Sequence, residues 1–178
     1  MQIACPSAVL DLLTRLHEAG HEAYLVGGSL RDSLLGRPPH DWDITASSLP
    51  EQTLAVFADY RTIETGLQHG TVTVMVDKQP VEVTTFRIDG NYTDNRHPDW
   101  VAFVADVKED LARRDFTVNA MAFSPDCGYA DPYGGQQDLK GRILRAVGDP
   151  YVRFRDDPLR ILRGVRFSVT SDLTPEEN

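Results

Sequence analysis

The segment from Tyr24 to Ile44 constrains the fold of this 178-residue chain more than any other. It reads Tyr24-Leu25-Val26-Gly27-Gly28-Ser29-Leu30-Arg31-Asp32-Ser33-Leu34-Leu35-Gly36, then His40-Asp41-Trp42-Asp43-Ile44. An apolar strand runs into a double glycine, then a short helical stretch, then a second strand carrying Asp-x-Asp. The glycines let the backbone approach phosphate oxygens, and a helix start adds free N–H groups and the positive end of its dipole. Alternate side chains of a strand point the same way, so Asp41 and Asp43 are expected on one face and Trp42 on the other. Two neighbouring carboxylates repel unless a cation lies between them. Mg²⁺ suits such hard oxygen ligands, often one or two carboxylates plus substrate phosphates. Asp-x-Asp or Gly-Gly alone is common in loops and caps; their ordered combination points to a nucleotide and a metal.

The rest of the chain supplies the frame. Val9, Leu12, Leu13, Leu16 and Ala19 follow a helical period over residues 7–19, closed by Gly20. Ala23–Val26 reads as a buried strand, Leu30, Leu34 and Leu35 as a short helix ended by Gly36, and Asp41–Thr45 as the next strand. Ser48-Leu49-Pro50-Glu51 resembles a capping box that opens a helix to about Tyr60. Thr71–Val76 and Val81–Phe86 form a hairpin pattern broken by Asp77-Lys78-Gln79-Pro80. The polar run from Asp89 to Asp99 reads as a mobile loop. Residues 108–112 and 115–121 read as short helical pieces, Gly134–Asp138 as a helix start, and Ile143–Val147 as strand or helix. Asp156-Asp157-Pro158 opens a helix to about Ser168, with Asp as cap and Pro in the first turn. This order predicts an α/β (α+β) fold: a small mixed sheet flanked by helices over residues 1–147, then the start of a helical region over 148–178. The tail from Thr170 carries no recognisable stop, so a truncated chain is expected.

The net charge is −9, from 18 basic and 27 acidic residues, which argues against non-specific coating of nucleic acid. The charge is unevenly placed, since Arg153, Arg155, Arg160, Arg163 and Arg166 cluster near the C-terminus. Cys5 and Cys127 form neither a disulfide framework nor a metal spacing and fit a reducing, cytoplasmic setting. No apolar run is long enough for a membrane span, and Met1-Gln2-Ile3-Ala4-Cys5-Pro6 lacks the pattern of a signal peptide.

Four further segments bear on chemistry. Glu82, within Val81-Glu82-Val83-Thr84-Thr85-Phe86-Arg87, could supply a third carboxylate or simply face solvent. Arg113-Arg114, followed by Asp115-Phe116-Thr117-Val118-Asn119-Ala120, suits triphosphate oxygens but could equally pair with Asp110 and Asp115. Asp131-Pro132-Tyr133-Gly134-Gly135 reads as a structural turn. On a helix Asp157, Arg160 and Arg163 share one side, while Ile161, Leu162 and Val165 lie opposite, a pattern that an ordinary amphipathic helix also gives.

The strand, Gly-Gly-Ser, helix, Asp-x-Asp order resembles the nucleotidyltransferase superfamily that includes DNA polymerase β. Gly-Gly-x-x-Arg-Asp, Asp-x-Asp, Glu-Val-Thr-Thr-Phe-Arg, Arg-Arg-Asp-Phe-Thr-x-Asn-Ala and Asp-x-x-Arg-x-x-Arg, in this order, resemble the class II tRNA nucleotidyltransferases (CCA-adding enzymes) and the related bacterial poly(A) polymerases, over about Tyr24 to Phe167. The resemblance implies a polymerase-β-like head followed by a helical neck. It implies that Asp41 and Asp43 hold Mg²⁺, with Glu82 a further carboxylate. Gly27, Gly28 and Arg31 would hold the nucleotide, and Arg114 would contact it from the second motif. Asp157 and Arg160 would read the base, with Arg163 and Arg166 near the phosphates. The implied reaction adds C and A from CTP and ATP to a tRNA 3′ end. Poly(A) synthesis, CC-only or A-only addition, a non-catalytic module that binds nucleotide or RNA, and a truncated head that binds nucleotide but cannot act on tRNA are the alternatives. The family often has Glu-Asp where this chain has Asp156-Asp157, and it continues past this length into regions that hold tRNA.

Overall fold

A computed structural model of the chain describes residues 3, 5–39, 41–94 and 98–177. His40 of the opening motif, part of the N-terminal segment read for a leader, and residues 95–97 of the polar run lie outside the described residues. The elements in order are α1 (Ser7–Glu18), β1 (Ala23–Val26), α2 (Gly27–Leu34), β2 (Trp42–Ala46), α3 (Pro50–Val56), β3 (Arg61–Ile63), β4 (Thr71–Val76), β5 (Gln79–Thr85) and β6 (Arg87–Asp89). There follow β7 (Val101–Phe103), α4 (Val107–Ala112), β8 (Ala122–Ser124), β9 (Gly128–Ala130), α5 (Gly135–Gly141), β10 (Ile143–Leu144), α6 (Pro150–Asp156), α7 (Leu159–Thr170) and β11 (Thr174–Pro175).

Seven strands form one mixed sheet in the order β3-β4-β5-β2-β1-β8-β9. β2 and β5 run parallel; the other neighbours are antiparallel. Strand alternation divides the sheet into two faces. Trp42, Ile44 and Ala46 of β2, Val81 and Val83 of β5, and Val72, Val74 and Val76 of β4 enter one core with Leu12, Leu13 and Leu16 of α1. Each of those leucines is at most 1% exposed, worth about 2 kcal/mol of apolar burial apiece. The intervening residues, Asp43 and Thr45 on β2 and Glu82 and Thr84 on β5, are left for the other face. That face is covered by a second set of helices. Val26 packs with Leu111 of α4, and Leu30 of α2 packs with Phe116, Leu139 and Phe167. The chemistry therefore lies on one side of the sheet because the main core occupies the other.

The structure refines several sequence expectations. α2 begins at Gly27, where a φ of +73° takes the chain out of β1. Asp41 stands just before β2, in a bend, and only Asp43 lies within the strand. α3 stops at Val56. Its first turn is closed by Gln52 Oε1, which accepts the Leu49 N–H at 2.8 Å, while the buried Ser48 hydroxyl meets the Thr53 hydroxyl at 2.7 Å. The flanks of the polar run pair as β6 and β7, and a Cβ at Gly90 would stand 2.4 Å from the Trp100 ring. Residues 115–121 hold only a single 3₁₀ turn, Thr117–Asn119. The strands β3, β8 and β9 and the helix α6 carried no strong period and were not expected from the sequence. Among the described residues, no helix is long and apolar enough to cross a membrane.

Candidate active site

β1, α2, β2, α4, the 3₁₀ turn at Thr117–Asn119 and the start of α7 converge on a cavity of about 320 Å³. Its lining contains Gly27, Gly28, Arg31, Asp43, Arg114, Asp157, Arg160, Arg163 and Arg166, nine of the eleven residues picked out in the sequence. The other two flank it. Glu82 is the Cα partner of Asp43 across the parallel pair, and Asp41 precedes β2. Four further residues, Arg113, Asp115, Asn119 and Phe167, complete the lining. Asp115 and Asn119 were within reach of sequence reasoning, because they stand four apart in the Arg-Arg-Asp motif and meet across one turn.

The lining brings six arginines against three aspartates. In a chain of net charge −9, this is a local reversal of sign, and it makes the cavity a receptor for a strongly anionic ligand. Gly27 shows how close the groups come, since a Cβ there would stand 3.4 Å from both Arg114 Nη1 and Asp43 Oδ2. Backbone, cation and carboxylate thus meet at the N-terminus of α2, where free N–H groups and the dipole favour anions.

Most of the charged groups have a defined support. Arg31 donates to Asp32 Oδ1 at 2.9 Å and to Asn119 Oδ1 at 2.8 Å, and its guanidinium lies 4.6 Å from the Phe167 ring centroid. Asn119 Nδ2 donates to Asp115 Oδ1 at 3.1 Å, and Arg163 Nη2 pairs with Asp115 Oδ2 at 2.9 Å. These contacts form one chain across the cavity from α2 to α7. Deeper in, the fully buried Asp110 carboxylate binds Arg113 at 2.9 Å and Arg114 at 3.3 Å, accepts the Thr45 hydroxyl at 3.2 Å, and accepts the Arg87 N–H at 3.3 Å. Burial pushes the Asp110 carboxyl up, but Arg114 and Arg113 outweigh it and hold it below the usual carboxylate range. The Asp43 carboxyl is pushed the other way: burial raises it most, Glu82 raises it further, and Arg114 only partly offsets them.

α7 turns Arg160 inward and holds the more exposed Arg163 and Arg166 along the cavity. Arg160, Gly164 and Phe167 are buried, whereas Ile161, Leu162, Val165 and Val169 are 51–79% exposed. The absence of a side chain at Gly164 permits this approach, because a Cβ there would meet the Phe116 ring at 3.1 Å. Asp157 breaks the chain between α6 and α7. Its Oδ1 accepts the Leu159 N–H at 3.0 Å, and its Oδ2 lies 3.6 Å from Arg160 Nε.

The Poly A polymerase head domain family matches residues 23–145, from β1 to β10. The chain belongs to the poly A polymerase head domain family. The head-domain match takes in Gly27, Asp41, Asp43, Glu82 and Arg114 and stops before α6, so Asp157, Arg160, Arg163 and Arg166 lie beyond it. A CCA-adding enzyme of Streptococcus suis is 50% identical over 167 residues, covering 94% of this chain and 41% of the relative. A crystal structure of the Bacillus stearothermophilus CCA-adding enzyme in complex with CTP is 42% identical, with a TM-score of 0.85 over 96% of this chain and 40% of that one. The Thermotoga maritima CCA-adding enzyme complexed with tRNA is 26% identical, with a TM-score of 0.80 over 99% of this chain and 41% of that one. The chain thus spans about two-fifths of the length of these relatives. Its sheet has the polymerase-β-like nucleotidyltransferase architecture of the CCA-adding head.

Proposed function

We propose that this chain is the catalytic head of a template-independent RNA nucleotidyltransferase that adds C and A to the 3′ end of tRNA from CTP and ATP, releasing pyrophosphate. The carrying observation is the cavity in which six arginines surround the α2 N-terminus beside Asp43. Residues 1–147 form the head and 148–178 the start of a neck carrying the base-reading helix. A cytoplasmic setting belongs to the same proposal. The relatives seen with CTP and with tRNA support this reading, as does 50% identity to a CCA-adding enzyme.

Mg²⁺ fits the carboxylates. Asp43 is short of positive charge even with Arg114 beside it, and Glu82 and Asp41 add to the deficit. Such an ion would be held by Asp41 and Asp43 and completed by substrate phosphates. When bound, Mg²⁺ would lower the pKa of the attacking hydroxyl and neutralise charge on the phosphates. The protein's own residues supply the rest. The α2 N-terminus and Arg31 bind triphosphate oxygens, and Arg114 is held by Asp110 against Asp43. The RNA 3′ hydroxyl loses its proton to solvent and its oxygen attacks the α-phosphorus; the bond from that phosphorus to the α–β bridging oxygen breaks, and pyrophosphate leaves. Positioning and charge account for most of the rate in such a transfer.

Asp157 and Arg160 give a physical basis for choosing nucleotides without a template. Cytosine and adenine present an exocyclic amine that a carboxylate accepts, together with ring or carbonyl acceptors for a guanidinium. Uracil and guanine turn a carbonyl toward Asp157, and each unpaired buried group costs roughly 1–3 kcal/mol. The test supplies a tRNA lacking its CCA end, Mg²⁺ and each labelled nucleotide, with Asp41→Ala as control. Stepwise addition of two C and one A, absent in the variant, is expected. A ladder of A would instead establish the poly(A) reaction. Failure to bind CTP or ATP in preference to UTP would overturn the proposal.

A further inference from the structure

Arg160 has five N–H donors, and the fold accounts for three of them. Its Nε faces Asp157 Oδ2 at 3.6 Å. Its Nη2 donates to the Arg113 carbonyl at 3.3 Å and to the Tyr92 phenol oxygen at 3.3 Å. Nη1 is buried and has no hydrogen-bond partner among the described residues. Arg160 lines the cavity, so a group bound there is what remains to satisfy the two Nη1 protons.

The orientation of the guanidinium therefore decides which two protons are on offer, and Tyr92 fixes that orientation from another part of the chain. Tyr92 lies on the connection between β6 and β7, and its ring centroid is 5.7 Å from the Arg160 guanidinium carbon. Its hydroxyl is committed: it donates to Asp89 Oδ2 at 2.8 Å. Asp89 is itself set between Arg87 at 3.2 Å and Arg113 at 3.8 Å. A phenol whose single proton goes to Asp89 has only lone pairs left for Arg160.

We propose that Tyr92 is a positioning residue for nucleobase selection: by accepting from Nη2 it holds the Arg160 guanidinium so that Nη1 is left for the base. This rests on the reading of Arg160 as a base contact. The Tyr92 phenol keeps its proton over the working range, since burial, then Asp89, pushes its pKa up to about 12. With the phenol oxygen removed, Nη2 retains only the Arg113 carbonyl. The guanidinium then gains rotational freedom, and the donor pair loses its fixed direction.

The experiment is calorimetric titration of CTP and of UTP, with Mg²⁺ present, into the unaltered chain, Tyr92→Phe, Arg160→Met and the double variant. Tyr92→Phe keeps the ring and removes only the acceptor. It is expected to cut the preference for CTP over UTP about tenfold, chiefly through weaker CTP binding. Added to Arg160→Met it is expected to change nothing further, because Tyr92 acts through Arg160. An unchanged preference in Tyr92→Phe, or an equal loss in the Arg160→Met background, overturns the inference. An unchanged preference in Arg160→Met overturns the base reading on which it rests. Should Tyr92→Phe fail to fold, Tyr92→Leu takes its place, since it likewise removes the oxygen that accepts from Nη2, with the same drop expected and an unchanged preference overturning the role of the phenol.

Discussion

Asp110 carries no chemistry of its own, yet the site depends on it. Its carboxylate is fully buried, orders Arg113 and Arg114, and ties α4 to Thr45, two residues from Asp43 on β2. Removing one partner of a buried pair costs far more than the pair contributes net, because it strands the other charge. Asp110→Asn leaves two arginines without their carboxylate, so a loss of about 3 kcal/mol is expected, or roughly 6–12 °C in Tm. The pH dependence has a defined sign. The folded pKa of Asp110 lies below its unfolded value, so its stabilisation is complete above the unfolded pKa and is lost as pH falls through the folded one. The gap between the native chain and Asp110→Asn, followed by urea melts from pH 7 downward, should stay constant and then narrow below about pH 4. A gap that widened in acid would contradict this assignment. The sequence could name Arg114 because paired arginines suit phosphates on chemical grounds. It offered Asp110 only as a surface partner for them, since burial is a property of the packed chain.

At the scale of elements, the 3₁₀ turn at Thr117–Asn119 and α5 press against each other so closely that one glycine sets the distance. A Cβ at Gly135 would stand 2.2 Å from the Thr117 carbonyl oxygen and 2.7 Å from Met121. The first contact is with backbone, which no side-chain rotation can relieve. Gly135→Ala is therefore expected to destabilise by about 3 kcal/mol. Because Asn119 lies on the displaced turn and holds Arg31, the variant should also weaken CTP binding in calorimetry. An alanine that melted like the native chain would show that the turn moves freely. Elements with a strong period were legible: α1, β1 and β4 fall where apolar spacing put them, while β5 starts two residues early because Gln79 and Pro80, read as part of the break, pair with Val76 and Met75. The hairpin turn, at Asp77 and Lys78, is closed by two residues at positive φ, and its β-branched flanks betrayed it. The three-residue strands β6, β7, β8 and β9 were not legible. Three residues are too few to show alternation, and their pairing is decided by partners far along the chain.

For the whole molecule the governing feature is segregation of charge. A chain with nine more acidic than basic groups confines six arginines to one cavity. Its outer surface therefore repels polyanions while the cavity attracts one. This arrangement was partly legible, since the cluster from Arg153 to Arg166 stood out against the acidic average. That Arg31, Arg113 and Arg114 join three of those arginines follows only from the sheet that brings β1 and α4 beneath α7. Salt separates attraction by charge from attraction by shape. Between 0.1 and 1 M salt the screening length falls from about 10 to about 3 Å. The triphosphate of CTP should then lose about a factor of ten in affinity as its contacts with the arginines are screened, whereas the base contacts of cytidine are short and local. Cytidine is expected to change less than about twofold over the same range. Parallel titrations of CTP and cytidine measure the difference directly. Equal salt dependence would mean that the cavity does not engage the phosphates, and with that the placing of the triphosphate at the N-terminus of α2 would fall.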